Sequence, residues 1–230
     1  MEIYVKDLTK DYYNGEIRIR ALNNVSFKVE DREILSILGP SGCGKSTLLN
    51  CLSGIDTPNS GKVIIDDVDI HELSDNKKTI FRAKNLGFVF QFYNLIPVLT
   101  AVENVELVLQ ILGLSEKEAR KKSQNMLDIV GLSEKINSYP SQLSGGERQR
   151  VSIARALVHN PGIIFADEPT GALDTETSFE ILELIKNLNE KYNQTFIIVT
   201  HDEKITRYSN RIIKMDSGEI VSFEKNGVNE

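Results

Sequence analysis

The sequence has no long hydrophobic run. Nowhere in its 230 residues do about eighteen apolar residues follow one another, which excludes a membrane-spanning helix within it. It also has no excess of positive charge. Lys and Arg number 27 against 33 Asp and Glu, a net charge of −6. That removes any general electrostatic attraction to nucleic acid; such a role would need a local basic patch. Cysteine is scarce. Cys43 and Cys51 are too few and wrongly spaced for a zinc site or a disulfide framework, and read as reduced thiols in a cytoplasmic protein. No internal repeat or low-complexity segment stands out. Met1 to Lys6 reads as a strand rather than a leader peptide. Glu224 to Glu230 is polar and expected to fray. What remains is ordinary globular composition, 40% apolar and 26% charged. The length suits one large α/β domain or two small lobes.

Against this background three stretches carry chemistry. Ile34 to Leu38 is a short apolar run suited to a buried parallel strand. It leads into Gly39-Pro40-Ser41-Gly42-Cys43-Gly44-Lys45-Ser46-Thr47, which matches G-x-x-x-x-G-K-[ST]. Successive backbone N–H groups of such a loop wrap phosphates, and its glycines permit the backbone angles required. Lys45 is expected to reach the β- and γ-phosphates and Ser46 to hold Mg²⁺. Cys43 lies in the loop, so a thiol reagent should reach it and ATP should protect it.

The second stretch is Pro161 to Glu168, an apolar strand ending in Asp167 and Glu168. A hydrophobic strand followed by Asp places that carboxylate near the metal. Glu168, one residue on, could orient or deprotonate an attacking water.

The third is Ser144-Gly145-Gly146-Glu147. Ser followed three residues later by Glu is a capping-box pattern at a helix start. Val151, Ala154, Leu157 and Val158 then share one helical face. Two glycines in a first turn weaken the helix, by up to about 1 kcal/mol each. The close approach of an anion to bare N–H groups at the positive end of the helix is a reason to tolerate them.

The remaining elements are coarser. Ile3 to Leu8 and Val25 to Val29 read as strands, with Asn14-Gly15 a turn signal between them. Asn59-Ser60-Gly61 reads as a turn before a strand at Lys62 to Asp66. Ser74 to Lys84 reads as a polar helix, and Leu86 to Gln91 as a strand. Val102 to Leu114 and Glu116 to Val130 read as helices, the second with Ala119, Met126, Leu127 and Val130 on one face and Gly131 as its C-cap. Ser178 to Tyr192 is amphipathic, Thr195 to Asp202 is a buried strand, and Arg211 to Met215 with Glu219 to Phe223 form a hairpin.

The string LSGGERQR resembles the signature motif of ATP-binding cassette (ABC) ATPases, and the other motifs follow in that family's order. The resemblance covers nearly the whole chain. It implies a P-loop α/β core with an antiparallel β subdomain (1–91 and 160–230) and a helical lobe at about 92–159. It implies that an aromatic after the first strand stacks on adenine, where the T-x-x-Y spacing favours Tyr12 and Tyr13 is the alternative. It implies that Gln91 ligates Mg²⁺ with Ser46 and Asp167, that His201 contacts the γ-phosphate beside Glu168, and that Asp174 lies on a dimer seam. Ser144, Gly145, Gly146 and Glu147 are then expected to close over the ATP of a second copy. The helical lobe and the apolar stretch Phe92 to Leu99 are expected to meet a membrane permease on another chain, which would hold this subunit at the cytoplasmic face. No direct contact with cargo is expected. Details such as GFVFQFYNLIPVLTAVENV and IIFADEPTGALD look most like the branch serving lipoprotein release, macrolide export and antimicrobial-peptide resistance. The competing reading is an ATPase of a membrane regulatory complex. DNA-repair and translation relatives carry coiled coils, zinc modules or tandem cassettes, and a small-molecule kinase leaves LSGGERQR unexplained.

Overall fold

The computed structural model describes residues 1–225. In chain order its strands and helices are β1 (Ile3–Asn14), β2 (Ile17–Val29), β3 (Ile34–Leu38), α1 (Lys45–Leu52), β4 (Ser60–Ile65), β5 (Val68–Asp69), α2 (Asp75–Asn85) and β6 (Leu86–Phe90). There follow α3 (Ala101–Ile111), α4 (Glu116–Ile129), α5 (Gly145–Leu157), β7 (Ile163–Asp167), α6 (Thr175–Tyr192), β8 (Thr195–Thr200), β9 (Arg211–Asp216) and β10 (Glu219–Lys225).

One sheet has six strands in the order β10-β9-β3-β8-β7-β6. Its five strands β9, β3, β8, β7 and β6 run parallel, and β10 is an antiparallel edge. Both faces are covered, which is why β3, β7 and β8 are apolar at nearly every position instead of alternating. Ile34, Ile164, Ala166, Phe196 and Ile198 point into a core shared with α3, α4, α5 and α6. Leu35, Ile37, Phe165, Ile197 and Val199 point the other way, into a core shared with α1 and the second sheet. That sheet is antiparallel, in the order β2-β1-β4-β5.

The first hairpin is longer than its apolar pattern suggests. Strand pairing continues from Leu8↔Val25 to Asn14↔Ile17, and only the tip turns. Three register shifts between Val5 and Asp11 break the period of two. The outer half is exposed on both sides, so no apolar alternation marks it. Ser60 and Gly61, read as a turn, open β4 instead. A Cβ on Gly61 would lie 2.6 Å or less from the Leu8 and Asp7 backbone, so the glycine serves close strand approach. The tail beyond Lys225 lies outside the described residues.

Among the described residues, 92–159 contains helices and no strand. Helices α3 and α4 pack on each other and on α5. Thr100 and Ser115 cap α3 and α4 with full capping boxes. Gly131 takes φ +80 after α4, a backbone conformation that favours glycine.

Candidate active site

The C-terminal ends of β3 and β7 lie in one sheet with β8 between them, so the residues that follow them meet. The loop after β3 enters α1 through Gly44, at φ +106, with no side chain capping the helix. The first-turn amides of α1 are therefore free for an anion. A Cβ on Gly44 would lie 2.3 Å from the Ala21 carbonyl, so the loop also rests directly on β2. Lys45 is buried, and its Nζ donates to the carbonyls of Gly39 (2.7 Å) and Pro40 (2.9 Å). No carboxylate is paired with it among the described residues, which leaves its charge available to phosphate.

The Ser46 hydroxyl donates to Asp167 Oδ1 at 3.3 Å. Burial pushes the Asp167 carboxyl above its ordinary pKa, with the Ser46 bond pulling the other way. A cation beside that pair would relieve the burial cost. Glu168 sits at φ +47, an unfavourable angle for a residue with a Cβ, and its amide donates to the Val199 carbonyl. This turn swings its carboxylate toward the end of β8. There His201 Nδ1 lies 2.8 Å from Oε1 and 2.7 Å from Oε2. Gly171 keeps this corner open. A Cβ there would lie 2.8 Å from Gln91 Nε2 and 3.0 Å from Glu168 Oε2.

These groups border one cleft of about 420 Å³. Tyr12, Ser41, Gly42, Gly44, Lys45, Ser46, Thr47, Gln91, Asp167 and Glu168 all line it, and His201 joins through Glu168. Tyr13 does not line it. Cys43 has moved out of the expected set. Its side chain is buried, its Sγ lies 2.6 Å from where a Gly39 Cβ would stand, and its amide and carbonyl bond to Pro40 and Gly218, so it does not line the cleft. The expectation that a thiol reagent reaches it is withdrawn for that reason. Ile19, Arg20 and Ala21 of β2 also line the cleft and were not anticipated, because the outer hairpin carries no strand signal.

The signature stretch stands apart. None of Ser144, Gly145, Gly146 or Glu147 lines the cleft. The capping box is formed: Ser144 Oγ accepts from the Glu147 amide at 3.2 Å, and the Glu147 carboxylate accepts from the Ser144 amide at 2.8 Å. That amide bond holds the Glu147 carboxyl below the usual range. The two glycines have a reason inside the chain as well. A Cβ on Gly146 would lie 2.5 Å from Thr177 Cγ2, and one on Gly145 would lie 3.1 Å from Leu173 and Tyr93. Asp174 caps α6 by accepting from the Thr177 amide at 3.0 Å.

The family model for ABC transporters matches residues 22–171. The chain belongs to the ABC transporter family. It is 48% identical over 221 residues to an ABC transporter ATP-binding protein of Methanocaldococcus jannaschii, MJ1508, covering 96% of this chain and 98% of that one. It is 45% identical over 219 residues to LolD, the lipoprotein-releasing system ATP-binding protein of Colwellia psychrerythraea, covering 95% and 85%. Among solved structures it resembles a dimeric ABC cassette, MJ0796 of Methanocaldococcus jannaschii, with TM-score 0.90 and 47% identity over 97% of this chain and 98% of that one. A second MJ0796 dimer, in a post-hydrolysis state bound to ADP and Pi, gives TM-score 0.89 at 46% identity over the same shares. The fold and the ATPase class expected from the motifs are thus those of an ABC cassette.

Proposed function

We propose that this ABC ATPase works as a homodimer closed by ATP and drives a permease carried on another chain, for export or extraction of a peptide, lipoprotein or drug. The observation that carries the proposal is the split site. The phosphate loop and Glu168 share a cleft, while the signature helix of the same chain is absent from its walls. Ser144 and Gly146 therefore serve a γ-phosphate held by a second copy. The dimeric MJ0796 relatives support this arrangement.

In the assigned roles, Tyr12 stacks on adenine, and the amides of the loop from Ser41 to Thr47, other than that of Cys43, hold the phosphates with Lys45. The oxygen donors of Ser46, Asp167 and Gln91 suit a hard cation, and the unrelieved burial of Asp167 fits one. Mg²⁺, when bound, neutralises phosphate oxygens. Glu168 accepts a hydrogen bond from the attacking water and orients it in line. His201 holds the Glu168 carboxylate in place and meets the γ-phosphate. Asp174 fixes the start of α6 at the dimer seam. Electrostatic stabilisation by Lys45 and the amides, rather than covalent catalysis, carries the rate. Of the described residues, 1–91 and 160–225 form the nucleotide core, and about 92–159 the helical lobe.

A groove of about 420 Å³ supports the permease. It runs between α2, β6, α3 and α5 and is lined by Phe88, Phe90, Val108, Ile111 and Leu112. In the segment between β6 and α3, Phe92 and Val98 are more than 70% exposed. A helix or loop of a membrane protein fits such a face, and it would hold this subunit at the cytoplasmic surface. The LolD relative supports the export or extraction branch.

The test is light scattering on Glu168→Gln with and without ATP. A shift from monomer to dimer on ATP is expected. A persistent monomer would remove the homodimer. Co-purification with a membrane protein, followed by turnover stimulated by peptide or lipoprotein, tests the transport role; a partner that binds but gives no cargo response would favour the regulatory reading.

A further inference from the structure

Tyr12 is not a free surface ring. Its hydroxyl donates to Asp56 Oδ2 at 2.7 Å. The other oxygen of Asp56 accepts from Lys10 Nζ at 2.6 Å and from the Thr57 amide at 2.7 Å. Lys10 Nζ also donates to the Thr57 carbonyl at 2.7 Å and lies 5.0 Å from the centroid of the Tyr12 ring. The ring is thus pinned at its hydroxyl edge and covered on one face by a cation. The Lys10 and Asp56 side chains are 12% and 28% exposed, so the pair is shielded from the screening that weakens surface ion pairs. Burial raises the Asp56 carboxyl, but the bonds from Lys10, Tyr12 and Thr57 outweigh it and leave the group below its ordinary pKa. It is therefore ionised at neutral pH and acts as a fixed acceptor. The Asp56 amide donates to Asn50 in α1, the helix that opens with Lys45. The aromatic platform and the phosphate loop are anchored to the same helix.

An unpinned tyrosine on an exposed strand samples several χ1 states and loses that freedom when a base stacks on it. Pinning it beforehand removes the cost from binding. We propose that Asp56 is a positioning residue that locks the Tyr12 ring for adenine, so that affinity for the base, and not for the phosphates, depends on it. This rests on the reading that Tyr12 stacks on adenine.

Calorimetric titration with Mg-ATP and with Mg-tripolyphosphate, which has no base, tests both readings separately. Tyr12→Ala should weaken ATP by about tenfold or more, as loss of base stacking does. Tyr12→Phe keeps the ring and removes only the pinned hydroxyl. It and Asp56→Ala should each weaken ATP by about fivefold, the effect of one hydrogen bond. Tripolyphosphate affinity should stay as in the parent in all three. If Tyr12→Ala weakens ATP while Tyr12→Phe binds like the parent, stacking stands and the lock is overturned. If Tyr12→Ala binds ATP like the parent, stacking itself fails and the lock with it. If Asp56→Ala weakens ATP and tripolyphosphate equally, Asp56 supports the fold rather than the ring. In that case the proposal is overturned even if Tyr12→Phe shows a loss.

Discussion

At Gly146 a missing side chain makes room for a neighbour. Thr177 Cγ2 would lie 2.5 Å from an added Cβ, and Thr177 cannot turn away freely because its hydroxyl donates to Asp174 at 2.7 Å. Gly146→Ala should therefore destabilise the chain by about 1–3 kcal/mol, the usual cost of overpacking. Thr177→Ser keeps the hydroxyl and removes the clashing methyl, so the double variant should regain most of the loss in a urea melt. Equal stability of Gly146→Ala and parent would show that the helix start shifts without cost. A second residue-scale expectation concerns Glu168. Its carboxylate is aimed by an unfavourable backbone angle and by His201, so Glu168→Gln should cut steady-state ATP turnover about a hundredfold or more, the low end for loss of a general base. Turnover within a few-fold of the parent would remove Glu168 from that role. The sequence marks Lys45, Ser46, Asp167 and Glu168 because fixed spacing from an apolar strand places them. It does not mark Thr177 against Gly146, a contact 31 positions away decided by how α5 and α6 pack. Nor does it mark the inward turn of Cys43, which depends on the empty space at Gly39.

Among the elements, the turn after β6 shows how one helix holds another segment's backbone. Tyr93 and Asn94 take φ +62 and +47, both left-handed and both unfavourable for residues with a Cβ. Arg155 of α5 holds them by donating to both carbonyls, to Tyr93 at 2.8 Å. Arg148, about two turns earlier, lies 5.2 Å from the Tyr93 ring centroid. Arg155 meets no carboxylate among the described residues, and burial pushes its guanidinium pKa down. Its stabilising role is thus the two carbonyls. Arg155→Met keeps the apolar stem and leaves them unpaired, so a loss of about 2 kcal/mol is expected. Amide exchange at 92–95 should rise more than in the rest of the sheet. Unchanged exchange there would mean the turn is held from elsewhere. The elements of the six-stranded sheet are legible from sequence because parallel strands buried on both faces read as short unbroken apolar runs. The outer first hairpin is not, because bulges and double-sided exposure erase its period.

For the whole molecule, two cores share one sheet, and two half-buried histidines lie outside the nucleotide cleft. His71 Nε2 lies 2.9 Å from the Cys51 carbonyl and His159 Nε2 lies 3.1 Å from the Leu86 carbonyl. The Nδ1 atoms of both are buried with no partner among the described residues. Protonation would create a buried N–H with no acceptor as well as a buried charge. Burial accordingly lowers both pKa values, despite the opposing carbonyl bonds. In the unfolded chain the same rings titrate near about 6.5. Below that value the unfolded state binds more protons than the folded one, so stability is retained above about pH 6.5 and falls as pH drops below it. Paired carboxylates such as Asp56 and Glu147 have lowered values and lose their contribution only at more acidic pH. Thermal melts from pH 7.5 to 5.5 should show a declining midpoint in the parent. His71→Gln with His159→Gln keeps an N–H donor for each carbonyl but removes the titration, so the decline should flatten. A double variant that declines as steeply as the parent would place the acid sensitivity in groups other than these two rings.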